Sequence, residues 1–487
     1  MIRFRYLLVV MLAVCLFPLA RAQAQEAFFR PALNTKEIDV TLGTDWYGVY
    51  LQNKKIGYAK LDRARAADTV VESLVINMKL VSDEQKAEMK FARDFSFEAK
   101  APHRLLQATM EQFDGSSTTK ISAKRVDKGF EYVFSSAGKE RTKQVAEPEF
   151  NLADSIAAEI WLRSNPKVGD KVRARDLDLE DWKLNPDEHK IKGTKTGLTG
   201  GVEVKYYEVE TKNTKNKITY LSRFDSAGKM LSTNLAIFEL RKETEKEAKN
   251  TEFSHDLFVL GLAKIDRTIG HTTRLTELVV EVNGKDGDVL TNGPRQTVVV
   301  ENGARRLKLG KKYGNEFKVG AKEIEENLAE TNAFAIADPK VKALAKKAVG
   351  DATTPEEKVK RIVAFVHDFV EPVAAAGLPN IHDLLEKKKG DCKSYALLTT
   401  TLCRAAGVPS REVAGLLYIG DDARSFGGHA WNEVVLNGVW VPVDASLNQL
   451  ELDAGHISFG EDRAATGAML QSLGKLSFKL IEVQSSK

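Results

Sequence analysis

The chain is 487 residues long, too long for one ordinary domain, so two or three are expected. Hydrophobic residues make up 43% and charged residues 29%, values that exclude wholesale disorder and a polytopic membrane protein. The formal net charge of +4 falls to 69 basic against 68 acidic side chains once Arg3, Arg5 and Arg21 are set aside, so there is no global basic field of the kind that binds nucleic acid.

The chain opens with Arg3 and Arg5, then the apolar run Leu7 to Leu19, then two small-x-small sites, Ala20-Arg21-Ala22 and Ala22-Gln23-Ala24. Residues 1–24 therefore read as a secretory signal peptide. The expected location is periplasmic or secreted, with no stable membrane insertion after cleavage. An uncleaved anchor is the alternative, disfavoured because the apolar stretch is short for a span. The mature chain then keeps two cysteines, Cys392 and Cys403, too few for a disulfide scaffold. They fall on one expected helix, roughly 16 Å apart along its axis. A disulfide needs Cα atoms about 4.4–6.8 Å apart. The two cannot pair without unwinding that helix, so Cys392 stays a free thiol in an oxidising compartment.

From about Leu42 to Leu240 the pattern is strand after strand. Trp46 to Leu51 and Ile56 to Leu61 flank Asn53-Lys54-Lys55 as a hairpin. Val70 to Leu80, Phe91 to Phe97, Leu105 to Phe113, Lys120 to Val126 and Phe130 to Phe134 follow, with turn signals at Asp114-Gly115-Ser116 and Asp127-Lys128-Gly129. One helix is expected over Leu152 to Leu162. Strands resume at Val202 to Glu210, Ile218 to Phe224 and Met230 to Phe238. This spacing predicts a large antiparallel sheet, either a sandwich or a curved, partly closed sheet. His103 and His189 stand alone and read as surface or packing residues. The charge run Arg241 to Asn250 marks a boundary. We divide the chain into the signal peptide (1–24), an N-terminal antiparallel β-rich domain (27–250), a connecting β module (251–330), with an extension of either neighbour as the alternative, and a C-terminal domain (331–487).

Helical patterning begins near Asp338. Asp338-Pro339 gives an N-cap followed by proline, and Gly350 a stop. Thr354-Pro355-Glu356-Glu357 is a capping-box signature, followed by the stripe Val359, Ile362, Val363 and Val366. A short helix over Ile381 to Lys388 breaks at Lys389-Gly390. Gly390-Asp391 then places Cys392 at the first turn of a helix running to Ala406. There free N–H groups and the helix dipole favour a thiolate and can hold an oxyanion. Cys403, on the buried side, reads as a small core residue. His429 follows Gly427-Gly428, where a sharp turn is expected. Asn437-Gly438 is a two-residue hairpin turn, so paired positions sum to about 875. That brings His429 within two residues of Asp444 on the return strand. A cysteine, a histidine and an aspartate so placed are a nucleophile, its base and the base's orienter.

Gly390-Asp391-Cys392, His429-Ala430-Trp431-Asn432-Glu433 and Trp440-Val441-Pro442-Val443-Asp444 resemble the core motifs of the transglutaminase-like superfamily, in particular its bacterial exported members. The resemblance covers about residues 330–460. Ala445-Ser446 stands where many members have Pro-Thr. It implies an α+β chain whose β-rich leader half precedes a papain-like transglutaminase core, with Cys392 as nucleophile, His429 as general base and Asp444 as orienter. The expected activity is cysteine acyl transfer on amide or peptide bonds through a thioester, by hydrolysis or cross-linking, on a peptide or protein substrate of the cell envelope. The other class weighed is a non-catalytic envelope binding or scaffolding protein of the same fold. No phosphate loop, dinucleotide motif, metal-ligand cluster or EF-hand spacing is present, so no cofactor or metal is expected.

Overall fold

The computed structural model describes residues 28–486 except 52, 83–84, 114–117, 137–138, 200–201, 214–218, 236–237, 252–261, 285–289, 314–316, 374–378, 461–468, 470–471 and 473. The expected signal peptide at 1–24 lies outside the described residues. Among them, no helix is long and apolar enough to cross a membrane. The chain forms two compact units that divide between residues 254 and 255.

In the first unit, fourteen strands from Gly43–Leu51 to Phe238–Glu243 form one sheet. The first eight run in order out to Lys139–Val145, and the last six return from Lys171–Asp178. First and last strand close the seam between the two series, with Val49 opposite Leu240. The two outer ends of the sheet meet through side chains. Trp182 Nε1 donates to the Ala146 carbonyl (2.8 Å) and the Tyr132 hydroxyl to Leu179 O (3.0 Å). The Trp182 ring packs against Phe130 and Tyr132, with centroids at 5.2 and 5.8 Å. The sheet is therefore the curved, nearly closed alternative and not the sandwich. Alternation explains the inner face: Phe95, Phe97, Ala108, Ile121 and Phe130 are all buried.

Two details differ from the sequence reading. The helix expected over Leu152 to Leu162 is two, Leu152–Ser155 and Ala157–Arg163, separated at Ile156. Its first turn is pinned through Asp154 by Arg30 and Arg175 (2.7 and 2.9 Å). The strand expected over Met230 to Phe238 is also two, Met230–Leu235 and Phe238–Glu243, which pair with each other. His103 and His189 are buried and bonded, to Glu98 O (3.2 Å) and the Thr211 hydroxyl (2.9 Å), as packing residues should be.

The second unit is built on a nine-stranded sheet. Its order begins Gln296–Glu301, Ala304–Gly310, Leu275–Asn283, Ser477–Ser485 and Ala263–Ile265. It continues through Ser425–Leu436, Ser410–Tyr418 and His456–Gly460, with Val439–Val443 paired to Ser425–Leu436. Of the two readings of 251–330, a connecting module or an extension of a neighbour, the second is the one observed. These strands extend the sheet that carries His429, because the C-terminal strand Ser477–Ser485 pairs with Leu275–Asn283 and completes the ladder.

Helices Pro339–Val349, Pro355–Phe369 and Cys392–Ala405 supply the other layer. Their caps are the expected ones: Asp338 accepts from Lys340 N, Thr354 from Glu357 N and Asp391 from Lys393 N. Val359, Ile362, Val363 and Val366 pack with Leu398, Leu402, Cys403, Val434 and Val443 in one core. Cys403 is fully buried, and burial pushes its thiol up to about 12, so it is inert.

One polar contact locks the two layers. Asn432 is fully buried, and its Nδ2 donates to Ala396 O (2.9 Å) and to the Thr400 hydroxyl (2.8 Å) of the Cys392–Ala405 helix. Asn432→Ala is expected to lower unfolding free energy by about 1–3 kcal/mol, the cost of leaving buried partners unpaired. Urea unfolding followed by far-UV circular dichroism measures this; an unchanged midpoint and slope would show that the contact contributes nothing.

Candidate active site

Cys392 is the first residue of its helix and is half-buried. Asp391 fixes this end of the helix from both carboxylate oxygens. Oδ1 accepts from Lys393 N–H (3.1 Å), and Oδ2 pairs with the buried Lys393 ammonium (2.8 Å). The Cys392 N–H, at the first helical position, has no carbonyl of its own helix to bond. The Tyr395 hydroxyl ties the same turn to the Val370 carbonyl.

His429 lies on the strand Ser425–Leu436, opposite Gly415 of the neighbouring strand. Gly415 can only be glycine here, because a Cβ would sit 2.2 Å from the Trp431 ring and 2.3 Å from Ile457 O. Gly427 and Gly428 do not make the sharp turn expected of them. They pair with Leu417 and Leu416 inside the regular ladder, because the strand already begins at Ser425. The hairpin register is as expected: Asn432 faces Val443 and Leu436 faces Val439, each pair summing to 875. The ladder stops there, and Asp444 turns toward the imidazole.

The structure brings the three sequence-derived residues together. His429 acts on the Cys392 thiol and lowers it. His429 Nε2 lies 2.7 Å from Asp444 Oδ2. A carboxylate only accepts, so Nε2 donates, which leaves Nδ1 for the thiol. The other Asp444 oxygen, Oδ1, is filled by its own turn: Ser446 N–H (2.7 Å), Ser446 hydroxyl (2.6 Å) and Leu447 N–H (3.3 Å). Asp444 can therefore present only Oδ2 to the site.

That oxygen is shared with a second histidine, which the sequence reading did not single out. His456 Nε2 lies 3.3 Å from Asp444 Oδ2, and its Nδ1 lies 3.1 Å from Asp453 Oδ1. Asp453 is itself held by Gly455 N–H (2.8 Å) and Gln449 Nε2 (2.8 Å). With carboxylates as acceptors at both ring nitrogens, His456 carries both protons and is an imidazolium. The only local signal was Asp453-x-Gly455-His456 ahead of a short strand. The Trp431 ring packs on both imidazoles, with centroids 6.0 Å from His429 and 5.3 Å from His456.

Electrostatics follow from burial and these partners. Burial alone would favour neutral His429, but the charge and hydrogen bond of Asp444, with Cys392, raise it to about 10. Burial would likewise raise Asp444, yet His429 and His456 hold it far below the usual carboxylate range. His456 is raised by Asp444 and Asp453 against the same burial cost. For Cys392, burial pushes the thiol up, but the hydrogen bond and charge of His429 outweigh it and the net shift is downward. The arrangement lowers the Cys392 thiol and raises both imidazoles around one carboxylate, the pattern that favours a thiolate–imidazolium pair. His429, Asp444 and His456 also offer ligand atoms within 4.8 Å of one another, enough to hold a metal ion. Those atoms are already committed to hydrogen bonds, and an ion would have to break the His429–Asp444 contact.

Residues 342–445 match the model of the transglutaminase-like superfamily, and this segment is a transglutaminase-like core. No curated protein matches the chain. Three solved structures are similar to it. A "putative cysteine protease" from Cytophaga hutchinsonii is 17% identical, with 44% of this chain and 84% of that one covered and a TM-score of 0.28. A β-barrel-like protein of a domain of unknown function from Brucella abortus is 11% identical, covering 41% and 94%, at 0.29. A "putative protease" from Parabacteroides distasonis is 9% identical, covering 78% and 70%, at 0.20.

The electrostatics fix the pH course of thiol reactivity. Iodoacetamide alkylation of Cys392 is expected to begin well below the ordinary thiol pKa of about 8.5. It should rise again near pH 10, as His429 loses its proton and frees the thiolate. In His429→Ala the two phases should merge into one at or above the ordinary value. A wild-type profile with a single step at the ordinary value would contradict the ion pair.

Proposed function

We propose that the C-terminal unit is a cysteine acyl-transfer enzyme acting on amide or peptide bonds, with Cys392 as nucleophile, His429 as general base and acid, and Asp444 as orienter. The observation that carries this is the 2.7 Å bond of His429 Nε2 to Asp444 Oδ2 beside a helix-start cysteine whose thiol His429 lowers.

In the first half-reaction the Cys392 thiolate attacks the carbonyl carbon, forming a C–S bond, and the carbonyl oxygen becomes an oxyanion. The Cys392 N–H at the helix start donates to that oxyanion. The C–N bond then breaks, and His429 Nδ1 gives its proton to the leaving amine. The product is a thioester on Cys392. In the second half, Nδ1 takes a proton from water, or from an acceptor amine, as it attacks the thioester. The C–S bond breaks and the thiolate is restored. Asp444 keeps Nε2–H donated throughout, so Nδ1 is always the atom that exchanges protons.

His456 acts through Asp444 and is a positioning residue. Together with the turn at Ser446 it holds the carboxylate so that Oδ2 can face only the imidazoles. The leader-like residues 1–24 support placing the reaction outside the cytoplasm, on peptide or protein amides of the cell envelope.

Two experiments test this reading. Incubation with a panel of peptide amides and p-nitrophenyl esters should give an acyl-enzyme detectable by mass spectrometry on Cys392. It should vanish in Cys392→Ala and turn over faster with an added primary amine if cross-linking dominates. No adduct across the panel, with the fold intact, would favour the non-catalytic binding protein. Second, His456→Gln should lower kcat by about 10–100-fold, the worth of a charge-assisted hydrogen bond, with KM little changed. Removing that cation should also move the Cys392 alkylation profile to higher pH. Unchanged kcat and an unchanged profile would assign His456 to packing alone.

A further inference from the structure

The N-terminal unit holds a cavity of about 240 Å³ that opens to solvent at its mouth. It lies inside the fourteen-stranded sheet, and its lining comes from strands of both series. Fourteen strands make too wide a turn for side chains to fill, whereas about eight would be filled. Several inward positions are also small: Ala59, Ala174, Thr211 and Ser222. The walls are mostly apolar, with Leu61, Leu74, Ile76, Tyr220, Phe224 and Leu240 contributing.

The polar groups that reach this cavity are already matched to one another. Arg63 pairs with Glu72 and Glu159 (2.5 and 3.0 Å), Arg93 with Asp176 (2.8 Å) and Arg175 with Asp154 (2.9 Å). Lys229 pairs with Asp45 (3.6 Å). His189 bonds the Thr211 hydroxyl (2.9 Å), and the Ser222 hydroxyl bonds Thr233 (2.7 Å). Water filling such a cavity would find few partners that are not already engaged, and an empty one forfeits the dispersion contacts of its walls. Leu61, Leu74, Phe224 and Met230 line the void and are only half-buried, so apolar surface is left uncovered there. An apolar guest resolves both deficits. A charged guest would have no unmatched counter-charge among these pairs, so any charged head must stay at the mouth.

We infer that the N-terminal unit is a binding site for an aliphatic chain, the acyl tail of a fatty acid or lipid, held inside the curved sheet. This is independent of the thiol chemistry of the C-terminal unit.

The test uses the full chain and the uncharged fluorophore N-phenyl-1-naphthylamine. The expected result is saturable, blue-shifted emission at about one probe per chain, displaced by palmitate. Displacement by a short-chain diacyl phospholipid as well would identify a site for two-chain lipids; displacement by palmitate alone, a site for single chains. Ala59→Phe and Leu74→Trp project a ring into the void and should each weaken binding at least tenfold at unchanged far-UV circular dichroism. Absence of saturable binding, or wild-type affinity in both folded variants, would overturn the inference. Should neither variant fold, palmitate carrying a photoreactive diazirine decides the matter on the wild-type chain. Labelling within residues 45–76 and 220–240 supports the site; no labelling, or labelling confined elsewhere, overturns it.

Discussion

One carboxylate oxygen organises the C-terminal site. Asp444 Oδ2 accepts from two histidines at once, while Oδ1 is saturated by the turn that follows it. In a buried setting the ionised form of that oxygen is the one that accepts both bonds, and each histidine must carry its proton on the Nε2 that donates. The charge states of four side chains therefore depend on one another. Cys392 stands at the end of this series, and its thiol is lowered because His429 is kept cationic, which in turn holds because Asp444 is kept anionic. Burial opposes every one of these charged forms, so the arrangement persists only because each charge has a partner.

The surrounding fold serves this arrangement in specific ways. Asn432 bolts the His429 strand to the Cys392 helix from three residues away, so thiol and imidazole share a common support. Asp391 and Lys393 fix the start of that helix, where the Cys392 N–H is left unbonded by its own helix. Gly415 leaves the space that Trp431 occupies, and Trp431 in turn packs against both imidazoles. These are short-range devices, and each lies within the transglutaminase-like core or at its margin.

How much of this the sequence disclosed depended on whether a contact was local. Asn437-Gly438 fixed the hairpin register, and with it the approach of His429 to Asp444, because a two-residue turn leaves no freedom in pairing. Asp391 announced the helix start by its capping chemistry. His456 was invisible to the same reasoning. It lies twelve residues beyond Asp444 on a strand that reaches the site by pairing with Ser410–Tyr418, a register no local pattern encodes. Gly427-Gly428 misled for a related reason: glycine permits a turn but does not require one, and the ladder overrode it. The strand Lys183–Thr199 was not singled out because Pro186, Gly193 and scattered lysines hide its pairing. The strands of 275–310 read equally as a module or as an extension of a neighbour, because the strand that joins them to the sheet comes from the far C-terminus.

The central claim is that two imidazolium rings share one ionised carboxylate in the resting site. It is tested most directly by ¹⁵N NMR of the histidine side chains in the full chain, with His429 and His456 assigned by substitution. His429 is expected to keep both Nδ1 and Nε2 protonated at pH 8 and to titrate near 10, and His456 to titrate above the ordinary histidine value. If either ring instead titrates near the ordinary histidine value of about 6.5, the shared-carboxylate account is wrong.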